Sequence, residues 1–450
     1  MKEFNFEKLP IVEIANEIIM DAVNKGASDI HFDPSQDSLK IRFRIDGILS
    51  DYSIIPSKYK RNMISRIKMI AGMNIMETRL PQDGAIKSKI GERFLDLRVS
   101  SLPTNNAEKI VIRILDYSMS LAGLDNLGFS EDAMEKINRL IKIPNGIILV
   151  TGATGTGKST TLYSILQKLN TEEVNIITVE DPVEMDIEGI NQVQTQSEIG
   201  LTFATILRSI LRQDPNIIMI GEIRDDETAR IAVRASITGH LVLSSLHTNN
   251  SLNTIERLTD MDVERYLLGS SLEGIISQRL ARKVCPECSI KRPTTDYERQ
   301  VFKTVLGKDV LEMVVANKEG CPKCTHGYKG RLAILEVLVM NEQIKDAITN
   351  GANKNTLREL VYTGDVVTLL QDGLNKVILG ETTFEEILKI VDLENDMTQY
   401  NDDNLKTNLK MAQQAHKVDN KTNDKPITSN ITSEFKIEKT NNENIETVEF

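Results

Sequence analysis

Aromatic residues, long apolar runs and an excess of positive charge are what this chain lacks. Its 450 residues contain no tryptophan, and aromatic residues make up only 4%. Stacking platforms for single-stranded nucleic acid are therefore not expected, and a formal net charge of −11 argues against generic nucleic-acid binding. No apolar stretch has transmembrane length, and the first residues lack the apolar core of a signal peptide. We predict a cytoplasmic protein that contacts a membrane only through partners and binds no nucleic acid.

Cysteine is also scarce, but the four cysteines form two C-x-x-C pairs on either side of segment 289–320. Each pair can present two thiolates from a tight turn, and two pairs complete a tetrahedral shell for Zn²⁺. A redox role would need only one pair beside a thioredoxin-like unit, and structural disulfides are disfavoured in a reducing cytosol. We predict a closed, structural zinc site with these ligands: Cys285, Cys288, Cys321 and Cys324.

The most specific motif is a glycine-rich loop at 152–160, a full match to G-x-x-x-x-G-K-[ST]. The apolar run 146–150 before it predicts a buried strand, and 161–169 after it has one apolar helix face. Glycines let successive N–H groups face phosphate oxygens, while Lys158 reaches the β- and γ-phosphates and the Ser159 hydroxyl ligates Mg²⁺. The alternative is a chance Gly/Ser/Thr loop. We predict a nucleoside triphosphate site made by Gly152, Thr154, Gly155, Thr156, Gly157, Lys158, Ser159 and Thr160.

Three further apolar runs, at 175–180, 216–222 and 241–246, are typical of buried parallel strands. Two of them end in carboxylates and the third is followed by His247. Because ligands of an open parallel sheet lie outside the carboxyl ends of its strands, we expect these groups beside the phosphate loop. Any one of them alone would more simply be a capping or solvated side chain.

The residues before 121 have a different pattern. Apolar positions recur at helical spacing in 9–25, and short alternating runs flank a basic amphipathic segment at 59–73. This predicts a small α+β domain with a mostly antiparallel sheet. Its strands carry arginines, for each of which alone a solvated sheet face is the simpler interpretation: Arg42, Arg44, Arg98 and Arg113.

These patterns divide an α/β chain into five regions. They are an N-terminal α+β domain (1–120), a P-loop core (121–284), a tetracysteine subdomain (285–332), a C-terminal region of helical pattern (333–395) and a polar tail (396–450). The tail has few large apolar residues. It cannot offset its ordering entropy, and we predict that it is disordered.

In combination, the motifs resemble the type II secretion and type IV pilus assembly ATPases, from about residue 11 to about residue 393. The resemblance implies a PAS-like N-terminal domain and a RecA-like core. It also implies a homohexamer that hydrolyses ATP with Mg²⁺ and engages a polytopic inner-membrane platform protein at the cytoplasmic membrane. The motifs that carry it are 27–31, 44–47, 79–84, 97–103, 180–184, 218–225, 238–248, 321–324 and 327–331.

The resemblance also implies roles for acidic and histidine residues of the core. Glu222 would order Mg²⁺ and the attacking water in place of the usual Walker B aspartate. Glu184 is the first choice for the general base, with Glu180 as the alternative. His240 and His247 would sense the γ-phosphate and couple hydrolysis to movement.

Arg98 and Arg113 match the family's N-domain arginines, which move over the nucleotide when the domains close. An arginine delivered in this way stabilises charge on the transferred group. The sequence departs from the family pattern at Ala85, often arginine in relatives, and at 107–109, often Gly-Glu-Arg. We also expect the chain to lack the further N-terminal docking domain of many relatives, so that docking uses another surface.

Three other functions remain open at this point. A retraction-type motor could use the same core, but such motors usually lack the cysteines. A regulatory nucleotide-binding scaffold would have little turnover and no need for two catalytic glutamates and two arginines together. A DNA-packaging or conjugative motor is disfavoured by the net charge. We therefore predict a motor ATPase that drives assembly of a type IV pilus, or of a competence or secretion pseudopilus.

Overall fold

The computed structural model describes residues 1–90, 93–116 and 123–391. The predicted tail, 396–450, lies outside the described residues, so its predicted disorder stays a prediction. The described residues form two α/β parts with separate hydrophobic cores.

The N-terminal part is one six-stranded sheet with two helices. Its elements are α1 (Ile11–Asn24), β1 (Ala27–Pro34), β2 (Ser38–Ile45), β3 (Ile48–Pro56), α2 (Ser57–Ile70), β4 (Gln82–Ile90), β5 (Arg93–Thr104) and β6 (Ala107–Asp116). The strand order is β3-β2-β1-β6-β5-β4 and every pairing is antiparallel, as predicted. The sequence did not predict β3, whose pattern of buried and exposed residues is irregular.

The core of the second part is a seven-stranded sheet. Its strands are β7 (Gly146–Thr151), β8 (Ile176–Glu180), β9 (Asn191–Gln194), β10 (Ile217–Ile220), β11 (Leu241–Leu246), β12 (Leu272–Val284) and β15 (Tyr328–Val339). They follow the order β15-β12-β7-β11-β10-β8-β9, and all pairings are parallel except that of β15 with β12. Strands β7, β8, β10 and β11 are buried along their whole length, which is why each is a continuous apolar run in the sequence.

Helices cover both faces of this sheet, since separate apolar clusters lie on its two sides. They are α3 (Glu131–Leu140), α4 (Lys158–Leu169), α5 (Phe203–Ile210), α6 (Asp226–Ile237), α7 (Ser251–Asp260) and α8 (Arg265–Ser271). Helix α4 begins directly after the phosphate loop, so the strand–loop–helix context predicted for this motif is present.

The excursion between β12 and β15 contains a two-stranded sheet and one helix: β13 (Ile290–Pro293), α9 (Asp296–Leu306) and β14 (Glu312–Val315). Four helices follow β15: α10 (Glu342–Thr349), α11 (Lys354–Tyr362), α12 (Leu369–Ile378) and α13 (Phe384–Ile390). None of the helices in the described part of the chain combines the length and the apolar character needed to cross a bilayer.

One sequence prediction is wrong here. Residues 333–395 are not helical throughout, because β15 extends to Val339 and crosses the predicted boundary at 332. The run from Leu332 to Leu338 is buried without interruption against β12. A short, continuously buried run has no periodicity that separates strand from helix, so the pattern alone could not decide it.

Candidate active site

The phosphate loop lies between Thr151, the last residue of β7, and Lys158, the first of α4. A Cβ atom on Gly152 would lie 2.4 Å from the Thr156 hydroxyl oxygen, so only glycine fits that position. Gly157 has φ 87°, in the left-handed region that favours glycine. The loop geometry therefore requires the glycines on which the sequence motif was based.

Lys158 curls over its own loop. Its Nζ donates to the carbonyl oxygens of Gly152 and Ala153, at 3.0 and 3.1 Å. Burial lowers the pKa of Lys158, while the charge of Glu222 acts in the opposite direction. The ammonium group is thus held at the mouth of the loop, where it faces an acidic partner.

Gln278 of β12 makes two hydrogen bonds to the phosphate loop and the helix that follows it, a role that was not predicted from the sequence. Its amide nitrogen donates to the Thr156 carbonyl at 2.8 Å, and its amide oxygen accepts from the Thr161 hydroxyl at 2.7 Å. Gln278 is only 3% exposed. The sequence does show a polar residue, Gln278, within an otherwise mostly apolar segment. That residue indicates a contact with the phosphate loop only once β12 is known to pair with β7, the strand that leads into the loop.

Glu180, at the end of β8, is a buried structural carboxylate. Its Oε1 accepts from the Thr178 hydroxyl at 2.6 Å and from the Gln192 amide at 3.0 Å, and its Oε2 accepts from the Tyr163 hydroxyl. With 4% exposure, the side chain is engaged on both oxygens. Glu180 is therefore poorly placed to accept a proton from water.

Glu184 contacts the phosphate loop through Ser159. Its backbone N–H donates to the Tyr163 hydroxyl at 3.1 Å, and its carboxylate is hydrogen-bonded to Ser159. Burial raises the pKa of Glu184, as does the charge of Glu180, and this is partly opposed by the positive charges of Arg98 and Arg113. A carboxylate with a raised pKa in contact with the loop has the chemistry of a general base.

Glu222 follows β10, and its negative charge opposes the effect of burial on the pKa of the loop lysine, Lys158. Its two oxygens contact Arg224 Nη2 at 2.5 Å and His247 Nε2 at 3.0 Å. Burial raises the pKa of Glu222, but the hydrogen bonds and charges of these two partners outweigh it and hold the pKa below its usual range. Glu222 thus presents an ionised carboxylate, the kind of oxygen donor that Mg²⁺ prefers.

His240 lies away from Glu222 and the phosphate loop. His240 precedes β11, and its carbonyl accepts from Gly146 N–H at the amino end of β7. The whole of β11 separates it from His247, so the two histidines lie at opposite ends of one strand. Within one chain, the structure gives no support to the prediction that His240 senses the γ-phosphate, whereas His247 lies beside Glu222.

The N-terminal domain contributes a row of charged residues across four strands. Arg98 of β5 lies opposite Arg113 of β6, Arg113 opposite Asp29 of β1, and Asp29 opposite Arg44 of β2. Asp29 pairs with Arg113 Nε at 3.2 Å and with Arg44 Nε at 3.6 Å. Arg98 and Arg113 are like charges directly opposite each other, an arrangement that destabilises a sheet, and each lies beside a carboxylate: Asp96 is 3.9 Å from Arg98 and Asp29 is 3.2 Å from Arg113. We call Arg98, Arg113, Asp29 and Arg44 the arginine row.

The four cysteine sulfur atoms all lie within 4.8 Å of one another. Individual Sγ–Sγ distances are 3.8 Å for Cys285–Cys321, 3.7 Å for Cys288–Cys324 and 3.6 Å for Cys321–Cys324. Four thiolates at the corners of a tetrahedron, each about 2.3 Å from zinc, would be about 3.8 Å apart. The cysteines are free thiols here and form a cluster with the dimensions of a metal site.

A phosphate loop on a mostly parallel sheet, with carboxylates at the strand ends, defines a P-loop ATPase. The sequence model of the family described as type II/IV secretion system protein matches residues 5–389. The chain belongs to that family, and it is a secretion ATPase.

Two curated relatives show how close the similarity is. The putative type II secretion system protein E of Escherichia coli is 46% identical over 382 residues, which cover 85% of this chain and 77% of the relative. The type IV pilus assembly ATPase PilB of Myxococcus xanthus is 45% identical over 381 residues, covering 84% of this chain and 67% of the relative. The family predicted from the sequence motifs is confirmed.

Solved structures confirm the fold. The Legionella pneumophila ATPase DotB has a TM-score of 0.60 at 22% identity and covers 83% of this chain and 94% of its own. The pilus retraction motor PilT with bound ADP has a TM-score of 0.53 at 25% identity and covers 88% and 98%. The mixed α/β fold with a P-loop core is thus shared with known secretion and pilus motors.

Proposed function

We propose that the chain is a homohexameric motor at the cytoplasmic face of a membrane. It hydrolyses ATP to drive assembly of a type IV pilus or a related pseudopilus, and it engages a polytopic inner-membrane platform protein. The observation that carries the proposal is the phosphate loop with the Glu184 carboxylate hydrogen-bonded to its Ser159, in a chain of the type II/IV secretion family. The positive charges of Arg98 and Arg113, on the N-terminal domain, partly offset the rise in the pKa of Glu184 that burial causes, which supports assigning the arginines and this carboxylate to one site.

The chemistry follows from these positions. The loop N–H groups and Lys158 hold the phosphates, and Glu184 accepts a proton from the attacking water. As the new oxygen–phosphorus bond forms, the bond to the bridging oxygen breaks and negative charge spreads over the transferred group. Arg98 and Arg113 stabilise that charge, so turnover depends on the position of the N-terminal domain.

Two metal ions fit the residues present. The Ser159 hydroxyl and the ionised Glu222 would hold Mg²⁺, which neutralises phosphate charge when bound. The cysteine cluster would hold a structural Zn²⁺, because four thiolates at these separations leave no open position. The zinc would organise the excursion and make no contact with the nucleotide.

Assembly is favoured over retraction by the cysteine cluster and by the relatives. The chain is 44–46% identical to several type II secretion E proteins and to PilB, and 25% identical to the retraction motor PilT. A scaffold without turnover would have no use for a raised-pKa carboxylate facing two arginines of another domain.

The first test removes each arginine. Arg98→Ala and Arg113→Ala should lower kcat by about 10³-fold, as loss of an arginine finger does, with little change in nucleotide affinity. Arg42→Ala is the matched control, since it removes the same charge from the same sheet, where Arg42 pairs with Asp33. Turnover of the two variants within about twofold of wild type would instead indicate a solvated sheet face, for which effects are small.

The second test separates assembly from retraction in cells. Deleting the gene should abolish surface filaments or secretion through the pseudopilus, and expression of Lys158→Ala should fail to restore them. An excess of filaments in the deletion strain would support the retraction motor instead.

A further inference from the structure

The N-terminal domain contacts the core next to the cysteine cluster. The backbone N–H of Gly330, in β15, donates to Asp46 Oδ2 at 3.0 Å. Asp46 lies in the turn between β2 and β3 and has φ 48°, a left-handed conformation that is uncommon for residues other than glycine. The turn therefore presents this carboxylate outward, towards the core.

On the core side, Cys285 and Arg282 contact two residues that shortly precede Gly330 in the chain, namely Gly327 and Tyr328. The N–H of Cys285 donates to the Gly327 carbonyl at 2.9 Å. The Arg282 guanidinium lies over the Tyr328 ring, 3.9 Å from its centroid. Burial lowers the pKa of Arg282, but its hydrogen bonds to Glu386, with the charge of Asp46 among the smaller contributions, raise it above its usual value. Gly330 thus closely follows a segment that Cys285 and Arg282 hold beside β12.

On the N-terminal side, polar contacts connect the turn to the arginine row. Arg44 Nη1 donates to the Gly47 carbonyl at 3.0 Å, and Arg44 Nε pairs with Asp29 Oδ2 at 3.6 Å. The other oxygen of Asp29 accepts from Arg113 Nε at 3.2 Å. The turn that contacts Gly330 is therefore connected by polar contacts to Arg113, and Arg98 lies opposite Arg113 on the neighbouring strand of the same sheet.

We propose that Asp46 is a positioning residue, and that Gly330, near the start of β15 and directly after the cysteine-bearing excursion, is its docking point. The Asp46–Gly330 contact holds the N-terminal domain in the orientation that brings Arg98 and Arg113 to the nucleotide. This inference rests on the proposed catalytic role of the two arginines. It gives the cysteine cluster an indirect role in turnover, because disorder of the excursion would extend to the adjoining start of β15, where Asp46 finds its partner.

Asp46→Gly tests the contact without adding backbone strain, because glycine adopts a positive φ freely. We expect kcat to fall about tenfold, the effect of losing one charged hydrogen bond from the closed state, with KM and nucleotide affinity unchanged. Asp46→Asn keeps an oxygen acceptor and tolerates the left-handed conformation, so kcat should fall less in this variant than in Asp46→Gly. Asp37→Gly, in the turn between β1 and β2, is the control for removing an acidic turn residue.

Two further measurements distinguish positioning from general damage. Hydrogen exchange at Gly330 in the nucleotide-bound hexamer should be faster in Asp46→Gly, while the apparent Tm stays close to that of wild type. Removing the metal of the cysteine cluster with a chelator, which is then dialysed away before Mg²⁺ is restored for the assay, should lower kcat of the wild type but add little to the loss in Asp46→Gly, since both changes act on one contact.

Wild-type kcat in Asp46→Gly, or unchanged exchange at Gly330, overturns the positioning role while the arginine results stand. Wild-type turnover in Arg98→Ala and Arg113→Ala overturns the proposed function, and the positioning role with it.

Discussion

Replacing Tyr163 by phenylalanine should separate the two glutamates of the acidic box. The Tyr163 hydroxyl donates to Glu180 Oε2 and accepts from the Glu184 N–H at 3.1 Å. Phenylalanine keeps the ring in a site that is 2% exposed and removes only these two contacts. The substitution therefore leaves every proposed catalytic group in the chain and changes only how Glu184 is held.

The expected loss of stability follows from the hydrogen bond between Tyr163 and Glu180 that the substitution removes. A hydrogen bond to a charged acceptor contributes about 1.5–3 kcal/mol, and Glu180 Oε2 would lose its donor in a buried site. We expect the apparent Tm to fall by about 5 °C. Without its anchor, the Glu184 backbone can shift, and a displacement of about 1 Å at a catalytic group costs up to about 10²-fold in rate.

Steady-state ATP turnover and nucleotide affinity, measured side by side, provide the assay. We expect kcat to fall about 10- to 100-fold with nucleotide affinity retained, because the phosphate loop is untouched. Tyr266→Phe is the matched control, since Tyr266 is 61% exposed. A kcat within about twofold of wild type in Tyr163→Phe would refute the argument that this hydroxyl positions the general base.

Two remaining predictions concern the metal cluster and the proton. Protein purified without chelator should contain one zinc per chain, and elemental analysis well under that value would contradict the proposed site. Replacing any one of the four cysteines by serine should release the metal and unfold the excursion, while nucleotide binding survives. Glu184 must be ionised to act, and burial raises its pKa above the ordinary 4.5, so kcat/KM should fall as the pH decreases through a pKa above that value. The charge of Arg98 lowers this pKa, so Arg98→Ala should move the acid limb to higher pH, and a pH–rate profile whose limb does not move would count against Glu184 as the base.

The sequence predicted those parts of the site that a short segment determines by itself. The phosphate loop needs glycines, a lysine and a serine at fixed spacing, and the cysteine pairs need two tight turns, so both could be identified from residue types. The choice between Glu180 and Glu184 could not be made in this way. It depends on Tyr163, Thr178 and Gln192, whose side chains meet only in the folded sheet.

Longer-range features were missed for the same reason. Gln278 acts on the phosphate loop from a strand that lies far away in the chain, and Asp46 meets Gly330 across a domain boundary. His240 belongs to the same sequence motif as His247, but β11 lies between them, so the two residues are at opposite ends of that strand. Within one chain the structure therefore gives no support to a role of His240 at the γ-phosphate, and that role stays a prediction.

The way the chain enters and leaves the cysteine-bearing excursion has a consequence for how such motors diversify. Strands β12 and β15 form an antiparallel pair in which Val284 lies opposite Tyr328, so the excursion departs from the sheet and returns to it at adjacent positions. An insertion whose ends are neighbours can be gained or replaced by a short turn with little effect on the rest of a domain. A single recombination event at this hairpin can therefore exchange the whole cysteine-bearing excursion between motors, while the nucleotide machinery and Gly330, the partner of Asp46 in β15, stay in place.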